Sequence, residues 1–204
     1  NNPDDFVALN GMGNIQIKEK EYDTAVETFN RIINLYPDYS FAYADRGYAH
    51  RQNKSYEKAL QDYNAAIEFE PDFYWHYLDR AKLYILREDI PAAEADFLKA
   101  IEINPEYFIA HAYVAGIFFE RRDWENAYKH YSKVRELREQ YYFIYEPLGV
   151  MEYMKGRYKE SAEMFKKAYE RQRKRHDFPL LAVIALKRAG KEEDAVNYIN
   201  NQLK

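Results

Sequence analysis

The chain has 204 residues, of which 47% are hydrophobic and 31% charged, a composition that supports a packed core and excludes a disordered chain. Its formal net charge of −4 combines 11 basic and 19 acidic residues in 1–102 with 19 basic and 15 acidic residues in 103–204. Neither half has the strong positive charge of a nucleic-acid-binding domain, so no nucleic-acid partner is expected. The absence of cysteine excludes disulfides, and no stretch is long and apolar enough for a transmembrane segment.

A four-residue fragment with a proline followed by an acidic residue recurs every 34 residues, at 36–39, 70–73 and 104–107. With Phe6 as position 1, the same register continues to the end of the chain without an insertion. A fixed period of this length is typical of stacked helical repeats. The predicted repeats 1 to 6 cover residues 6–39, 40–73, 74–107, 108–141, 142–175 and 176–204, after a tail of residues 1–5; the last repeat is truncated and caps the array.

Within each repeat, residue size and spacing predict two helices that pack against each other. Positions 4, 7, 8 and 11 lie on one face of the first helix of a repeat. Positions 20, 24 and 27 lie on one face of its second helix. Position 8 is small in five of six repeats and position 20 in all six, so the two helices approach closely. Position 24 is always large, and a proline at position 32 ends the second helix in repeats 1 to 3.

This pattern of columns resembles the tetratricopeptide repeat family over residues 6–204. The resemblance implies an all-α fold, a right-handed superhelical solenoid of six antiparallel helix pairs. It also implies that the first helix of each pair lines a concave groove. Neighbouring pairs must stack, because a single pair cannot bury its apolar face alone.

The fifth and sixth repeats depart from the pattern. Pro147 falls inside the expected first helix of repeat 5, which predicts that this helix begins late, after a displaced boundary near residues 139–146. Four of the five residues in 141–145 are aromatic, and they form either a repacked joint or an aromatic shelf for a ligand. In repeat 6, Pro179 predicts the start of the first helix, and a second helix over about 192–202 is expected to cap the array.

The resemblance places positions 2, 5, 6, 9, 12 and 13 of the first helices on the concave groove. Aromatic rings at these positions supply apolar contact area and polar groups fix the orientation of a bound peptide. Alternatively, some of the rings pack against neighbouring first helices. The predicted residues of a groove for a peptide or partner are Asn10, Asn14, Phe41, Asp45, Tyr48, Trp75, Asp79, Lys82, Tyr113, Phe119, Phe143 and Tyr153.

Chaperone-binding members of the family grip a peptide C-terminus with a carboxylate clamp, and only Asn14 matches that clamp here. Asp45 and Asp79 stand at two of the clamp positions, where they would repel an incoming carboxylate. The clamp is therefore excluded in this register. The two aspartates favour a ligand with a cationic or hydrogen-donating group, unless each forms an ion pair with the arginine that follows it or with Lys82.

The chemistry-bearing residues form no catalytic motif. The five histidines lack metal-ligand spacing, and His50 and His111 fall in core columns. No nucleophile elbow and no phosphate-binding loop is present. We therefore expect a protein that is not an enzyme and that has no cofactor and no metal.

These features favour a non-enzymatic protein–protein interaction scaffold that binds a protein or peptide partner of unknown identity in an aromatic-rich groove. One alternative is a small-molecule or apolar-ligand binding protein that uses the region of Trp75, Tyr113 and Phe143. Another is an enzyme, which would require an unexpected metal or a buried pair of carboxylates in the groove. A third is a self-assembly module that forms a homo-oligomer.

Two further points stay open at this stage. The basic run over residues 166–176 either complements the carbonyls at a helix end or attracts an acidic partner or an anionic membrane surface. The chain begins with Asn1, so any upstream signal or anchor lies outside it. A cytoplasmic and a periplasmic or cell-envelope location fit the sequence equally.

Overall fold

The computed structural model describes residues 5–202, and this part of the chain is all-α, as predicted. Short turns connect the helices, and one 3₁₀ turn, η1, precedes α9. The helices in chain order are α1 (Phe6–Lys18), α2 (Tyr22–Leu35), α3 (Ser40–Gln52), α4 (Tyr56–Phe69), α5 (Tyr74–Leu86), α6 (Ile90–Ile103), α7 (Phe108–Glu120), α8 (Trp124–Leu137), η1 (Tyr142–Ile144), α9 (Tyr145–Met154), α10 (Tyr158–Arg171), α11 (Asp177–Arg188) and α12 (Glu192–Gln202).

The helices group into two compact units. The N-terminal unit extends to Pro105 and contains α1–α6, and the C-terminal unit begins at Glu106 and contains α7–α12. In both units a helix packs most extensively against a helix next to it in the chain, which is the arrangement of helical hairpins. That the six repeats form one continuous array with a tail over residues 1–5 stays a prediction. Residues 1–4 and 203–204 lie outside the described residues.

The turn between the two helices of a hairpin has the same backbone geometry in every repeat. The residue at position 15 has a positive φ, and the N–H of position 16 donates to the carbonyl five residues earlier, as Ser55 does to His50 at 2.8 Å. This is the Schellman ending of a helix, which reverses the chain within three residues. The position 15 residues are Lys20, Lys54, Glu88, Arg122, Gly156 and Gly190.

Small residues at position 8 allow the two helices of a hairpin to touch. A Cβ atom added to Gly13 would lie 2.7 Å from the ring of Phe29, and one added to Gly149 would lie 2.8 Å from the ring of Phe165. The ring at position 24 therefore fills the volume that a side chain at position 8 would need. The position 20 residues, also small, are all buried: Ala25, Ala59, Ala93, Ala127, Ser161 and Ala195.

The joint before repeat 5 has the displaced helix boundary that Pro147 predicts. The chain forms the 3₁₀ turn at Tyr142–Ile144, and α9 begins only at Tyr145. Pro147 consequently lies in the first turn of α9, where the backbone N–H that it lacks would have no partner within the helix. The buried Tyr145 anchors the joint, since its hydroxyl donates to the carbonyl of Glu139 at 2.5 Å.

Repeat 6 begins slightly earlier than expected. Its first helix, α11, starts at Asp177 rather than at Pro179, because proline is tolerated within the first turn of a helix. Its second helix, α12, occupies Glu192–Gln202 and buries only Ala195 among its described residues. The rest of α12 is more exposed, and its role as the cap of the array stays a prediction.

Two arginines connect helices of the N-terminal unit in the same way. Arg80 forms a bidentate ion pair with Asp96, with two N–O distances of 2.8 Å, and also donates to the side-chain oxygen of Asn64 at 2.7 Å. One repeat earlier, Arg46 makes the equivalent contacts with Asp62 and Asn30. Each guanidinium therefore joins the first helix of one hairpin to its own second helix and to the second helix before it.

The two histidines that the repeat register places in core columns differ in burial, since His111 is buried and His50 only partly so. In the C-terminal unit, His111 and His130 are buried with their Nδ1 atoms 2.9 Å apart, so that one ring donates and the other accepts. Burial and the neighbouring His111 lower the pKa of His130 to about 4, which keeps its ring neutral at physiological pH. In the N-terminal unit, burial also lowers the pKa of the partly exposed His50.

None of the helices within residues 5–202 is long and apolar enough to span a membrane.

Candidate functional site

Two first helices of the N-terminal unit, α3 and α5, carry six of the predicted groove residues at matching positions. Helical spacings of four and then three residues place these side chains on one face of each helix. The helices α3 and α5 also contact each other directly. We call this surface the α3–α5 face; its predicted residues are Phe41, Asp45 and Tyr48 on α3 and Trp75, Asp79 and Lys82 on α5.

The two aspartates of the α3–α5 face have different surroundings. Asp79 is paired with Lys82, whose Nζ lies 3.1 Å from its carboxylate and 5.7 Å from the centre of the Trp75 ring. Asp45 is partly buried and has no ion-pair or hydrogen-bond partner among the described residues. Burial, and then the negative charge of Asp79, raise the pKa of Asp45 to about 6. The alternative that local ion pairs use both aspartates therefore holds for Asp79 and not for Asp45.

Helix α4, which packs against both α3 and α5, carries a tyrosine hydroxyl without a hydrogen-bond partner. The Tyr63 side chain is fully buried, and its ring packs 3.0 Å from the position of a Cβ atom on Gly47 of α3. Its hydroxyl makes no hydrogen bond. Burial raises the pKa of Tyr63 well above its usual range, and among the nearby charges Arg51 lowers it while Asp79 and Asp45 raise it. The hydroxyl is therefore within the electrostatic reach of both carboxylates.

Aromatic side chains lie on the same helices as the two carboxylates. Phe41 makes ring contacts with Phe73 at 4.9 Å and with His76 at 5.5 Å between centroids, so it is partly used in packing. Tyr48 lies beneath the guanidinium of Arg51 at 4.9 Å. Trp75 is 38% exposed. The α3–α5 face thus has one aromatic ring, Phe41, that is packed against other rings, and one indole ring, Trp75, that is partly accessible.

The two predicted groove residues of α1 form a local contact of their own. The side-chain amide of Asn14 donates to the backbone carbonyl of Asn10 at 2.9 Å. Asn10 is partly buried and Asn14 is exposed. Among the described residues, no side-chain hydrogen bond joins these asparagines to the α3–α5 face.

In the C-terminal unit the four predicted residues fall into three environments. Phe119 packs edge-on against Trp124 and Tyr131 inside the hairpin of α7 and α8. Tyr113 is 40% exposed on α7, and Phe143 is 57% exposed in η1, where it stacks on the ring of Tyr142 at 4.1 Å. Tyr153 of α9 contacts Tyr158 and also lines a pocket. Phe119 is therefore mainly a packing residue.

The pocket beside Tyr153 is apolar and has a volume of about 290 Å³. Sequence reasoning placed Tyr153 in the groove but missed the residues that α11 contributes to this pocket. The wholly apolar run over residues 180–186 was the signal that could have found them. The lining residues are Val150, Tyr153, Met154, Phe165, Leu181 and Ile184.

Three residues of the basic run over residues 166–176 form ion pairs within the C-terminal unit. Lys167 contacts Glu139 at 2.6 Å, and Arg175 contacts Glu146 and Asp177 at 3.0 and 2.8 Å. The pairs with Glu139 and Glu146 connect α10 and the segment before α11 to the joint that precedes repeat 5. The run therefore has a local structural role, whether or not a partner also contacts it.

The part of the chain that the structure describes contains no cluster of three or more His, Asp or Glu side chains able to hold a metal ion.

Comparisons with known proteins identify the family. Three family models, each described as tetratricopeptide repeat, match residues 8–39, 40–73 and 78–142. No curated protein matches the chain.

Solved structures share the fold at low sequence identity. PilF of Pseudomonas aeruginosa superposes with a TM-score of 0.75 at 12% identity, over 94% of this chain and 87% of that one. YrrB, described as a TPR protein with an unusual peptide-binding site, gives 0.67 at 18% identity over 91% and 94%. MamA gives 0.68 at 17% identity over 81% and 96%. Together with the family models, these similarities show that the chain belongs to the tetratricopeptide repeat family.

Proposed function

We propose that this protein is a non-enzymatic interaction scaffold that binds a peptide or an extended segment of a partner protein on the faces of its first helices. The observation that carries the proposal is the α3–α5 face. It combines a partly exposed indole ring, further aromatic rings and a carboxylate that has no cation beside it. A bound segment would cover the rings and satisfy the polar groups, which is how interface anchors act.

The family and its architecture support this role. Stacked helical repeats present extended concave surfaces, and proteins built from them use these surfaces for binding. YrrB, which shares the fold, is described as having a peptide-binding site. Identity of 18% carries the fold alone, so the partner of the present protein is inferred from its own side chains.

Catalysis is a weaker candidate, although the α3–α5 face does contain two carboxylates close enough to interact. Lys82 already neutralises Asp79, which leaves Asp45 as a single acid rather than as one of an acid–base pair. Other reactive side chains are used in packing, since Ser161 donates to the carbonyl of Gly149 and His130 pairs with His111. These contacts favour a scaffold over an enzyme.

Binding of a small apolar molecule is a second candidate, favoured by the apolar pocket beside Tyr153. Its volume of about 290 Å³ falls at the lower limit of ligand pockets, which span roughly 300–1,000 Å³. A pocket of this size suits one large apolar side chain of a partner. We therefore include it in the proposal as a second anchor point within the C-terminal unit.

The test is co-purification of partners from the native cell with a tagged form of the protein. We expect the variant Trp75→Ala plus Tyr113→Ala to recover at least one partner at markedly lower yield than the wild type. The control variant, Tyr36→Ala plus Phe69→Ala, removes two exposed rings at the ends of second helices and should recover the same partners as the wild type. Equal recovery with all three proteins would contradict the assignment of the first-helix faces.

A further inference from the structure

We infer that the α3–α5 face recognises a partner segment through a lysine or arginine side chain, whose cationic head group binds beside the carboxylate of Asp45. This inference rests on the proposed function and specifies the chemistry of the segment that is bound. It follows from the way in which the neighbouring charges of the N-terminal unit are used.

The cation next to Asp45 in the chain and the cation of α5 on the same face are both engaged elsewhere. The adjacent Arg46 makes its bidentate pair with Asp62 and donates to Asn30. Lys82 is paired with Asp79. Asp45 is therefore left without a cationic partner among the described residues of its own chain. It can accept a charge-assisted hydrogen bond from a cation on another molecule.

The free protein keeps this carboxylate in an unfavourable environment. Asp45 is partly buried, and the second carboxylate on α5 lies close enough to oppose its ionisation. A cation placed next to Asp45 would remove both effects, because an opposite charge within about 4–6 Å favours the ionised carboxylate. Binding of a cationic group would therefore gain more at Asp45 than at a fully solvated aspartate.

The Tyr63 hydroxyl is the second, independent observation at this position. It is fully buried, makes no hydrogen bond, and lies within the electrostatic influence of Asp45, Asp79 and Arg51. Buried polar groups are normally paired, so an unpaired hydroxyl indicates a site whose polar network is incomplete. The described residues of the N-terminal unit therefore include a carboxylate without a partner on the α3–α5 face and, within the electrostatic influence of that carboxylate, a buried hydroxyl that makes no hydrogen bond.

The surrounding rings and the charge of the unit fit the same ligand. Arg and Lys side chains pack their apolar stems on aromatic surfaces, and their head groups are attracted to ring faces such as that of Trp75. Lys82 and Arg51 already show this contact within the protein, over Trp75 and Tyr48. The 19 acidic and 11 basic residues of 1–102 would attract a basic segment to this half of the chain.

A metal ion is a poor alternative occupant. Hard cations in proteins take six or more oxygen ligands, several of them usually carboxylates. Within residues 5–202 no three His, Asp or Glu side chains come together in such a group. A single lysine or arginine, which needs one carboxylate and an aromatic surface, fits the α3–α5 face better.

The first test is selection from a phage-displayed library of random 12-residue peptides on the full chain. We expect the wild-type protein to enrich peptides that contain Lys or Arg, and Asp45→Asn to lose that enrichment. The control, Asp72→Asn, removes the same charge from an exposed turn residue before α5 and should select the same peptides as the wild type.

The second test measures the pairing directly by fluorescence anisotropy with one selected, labelled peptide. Replacing its Lys or Arg by norleucine should weaken binding to the wild type by about 10- to 100-fold, the range for hydrogen bonds to charged groups. The same replacement should change binding to Asp45→Asn by less than about threefold, because the partner charge is already gone. Equal losses on both proteins would overturn the inference.

The outcomes separate the inference from the proposed function. If peptides are selected and Trp75→Ala weakens them, but they show no excess of Lys or Arg, the interaction face stands and the cationic specificity is wrong. If an excess of Lys or Arg persists unchanged on Asp45→Asn, the assignment of Asp45 is wrong. If no protein selects any peptide, both the inference and the peptide-binding form of the proposed function fail.

Discussion

Asp45 and Asp79 occupy the same position in successive repeats, and the difference between them illustrates how a side chain is assigned to binding or to folding. Asp79 has Lys82 one helical turn away, and their ion pair is complete within α5. The corresponding residue for Asp45 is Tyr48, which offers no charge. The two repeats differ at position 9, which is a lysine in repeat 3 and a tyrosine in repeat 2. This single difference leaves the carboxylate of Asp45 without a cation.

The raised pKa of Asp45 predicts that its ionisation destabilises the free protein. Well below the ordinary aspartate pKa of 3.8 the carboxyl is protonated in both the folded and the unfolded chain, so it does not affect stability. The cost develops as the pH rises from about 4 to about 6, where the unfolded chain ionises before the folded one, and it is complete above about pH 7. We expect Asp45→Asn to be more stable than the wild type by up to about 3 kcal/mol at pH 7.5, with no difference near pH 3.5. Urea unfolding at both pH values measures this.

The control for this prediction is Asp72→Asn, whose unfolding free energy should equal that of the wild type at both pH values. A destabilised Asp45→Asn at pH 7.5 would mean that Asp45 has a stabilising partner in solution. The expected result would instead describe a residue kept for binding at the expense of stability, as functional sites often are.

Sequence reasoning reached the two aspartates but not their environments. The 34-residue register placed both on the first helices, because residue size repeats along the chain. It did not indicate that Arg46 and Arg80 pair with acids sixteen residues later on the next helix, since no local spacing rule connects such positions. The unpaired state of Asp45 follows from those distant pairings and was therefore visible only in the structure.

In repeats 1, 2 and 5 the contact between the two helices of a hairpin depends on the glycine at position 8. In α1, Gly13 faces Phe29 so closely that a methyl group would overlap the buried ring, whereas Gly11 has no atom within 4 Å of its Cβ position. The two glycines lie in the same helix, two residues apart, and differ in what surrounds them. They form a matched pair for measuring the contact.

We expect Gly11→Ala and Gly13→Ala to change stability in opposite directions. Alanine is favoured over glycine in a helix by about 1 kcal/mol, and both variants gain that term. Only Gly13→Ala adds the overlap with Phe29, and overpacking in a core costs about 1–3 kcal/mol. The unfolding free energy of Gly11→Ala should therefore exceed that of Gly13→Ala by about this amount in a denaturant titration. Equal values would show that the Phe29 ring moves aside.

The turns of the hairpins show a limit of sequence reasoning at the level of elements. Gly156 and Gly190 indicated a turn because glycine adopts positive φ without strain. The equivalent residues Lys54 and Glu88 adopt the same backbone conformation, with φ of 59° and 61°, although their side chains disfavour it. The stacking of helices on both sides of the turn outweighs the preference of the residue, so only the repeat period predicted these turns.

At the scale of the whole molecule, the fold class and the family were predictable because they depend on a period that six repeats enforce. The late start of α9 was also predictable, since Pro147 excludes a regular helix before it. The apolar pocket beside Tyr153 was not, because it depends on where Leu181 and Ile184 of α11 lie relative to α9 and α10. The period of the sequence predicts which residues face inward. It does not predict which residues of neighbouring repeats contact each other, because those contacts depend on how the helices pack.

Repeat proteins are stabilised by contacts between neighbouring repeats, so the last helix of a stack has a neighbour on one side only. In the C-terminal unit α12 buries a single residue, Ala195, whereas α10 buries Ser161, Ala162, Met164, Phe165 and Ala168. Local opening requires less free energy where fewer contacts are broken. We therefore expect α12 to be among the first helices of the C-terminal unit to open.

Hydrogen exchange with mass spectrometry tests this expectation. Amides of α12 should exchange well before those of α10 at neutral pH, and Ala195→Asp should bring α12 to the exchange rate of an unfolded segment, because it places a charge in the one buried contact. The neighbouring Val196→Asp adds the same charge at a side chain that is 52% exposed and should leave the exchange nearly unchanged. If α12 instead exchanges as slowly as α10, another molecule must cover its outer face. A concentration-dependent mass would then favour self-association through repeat 6 over a simple cap.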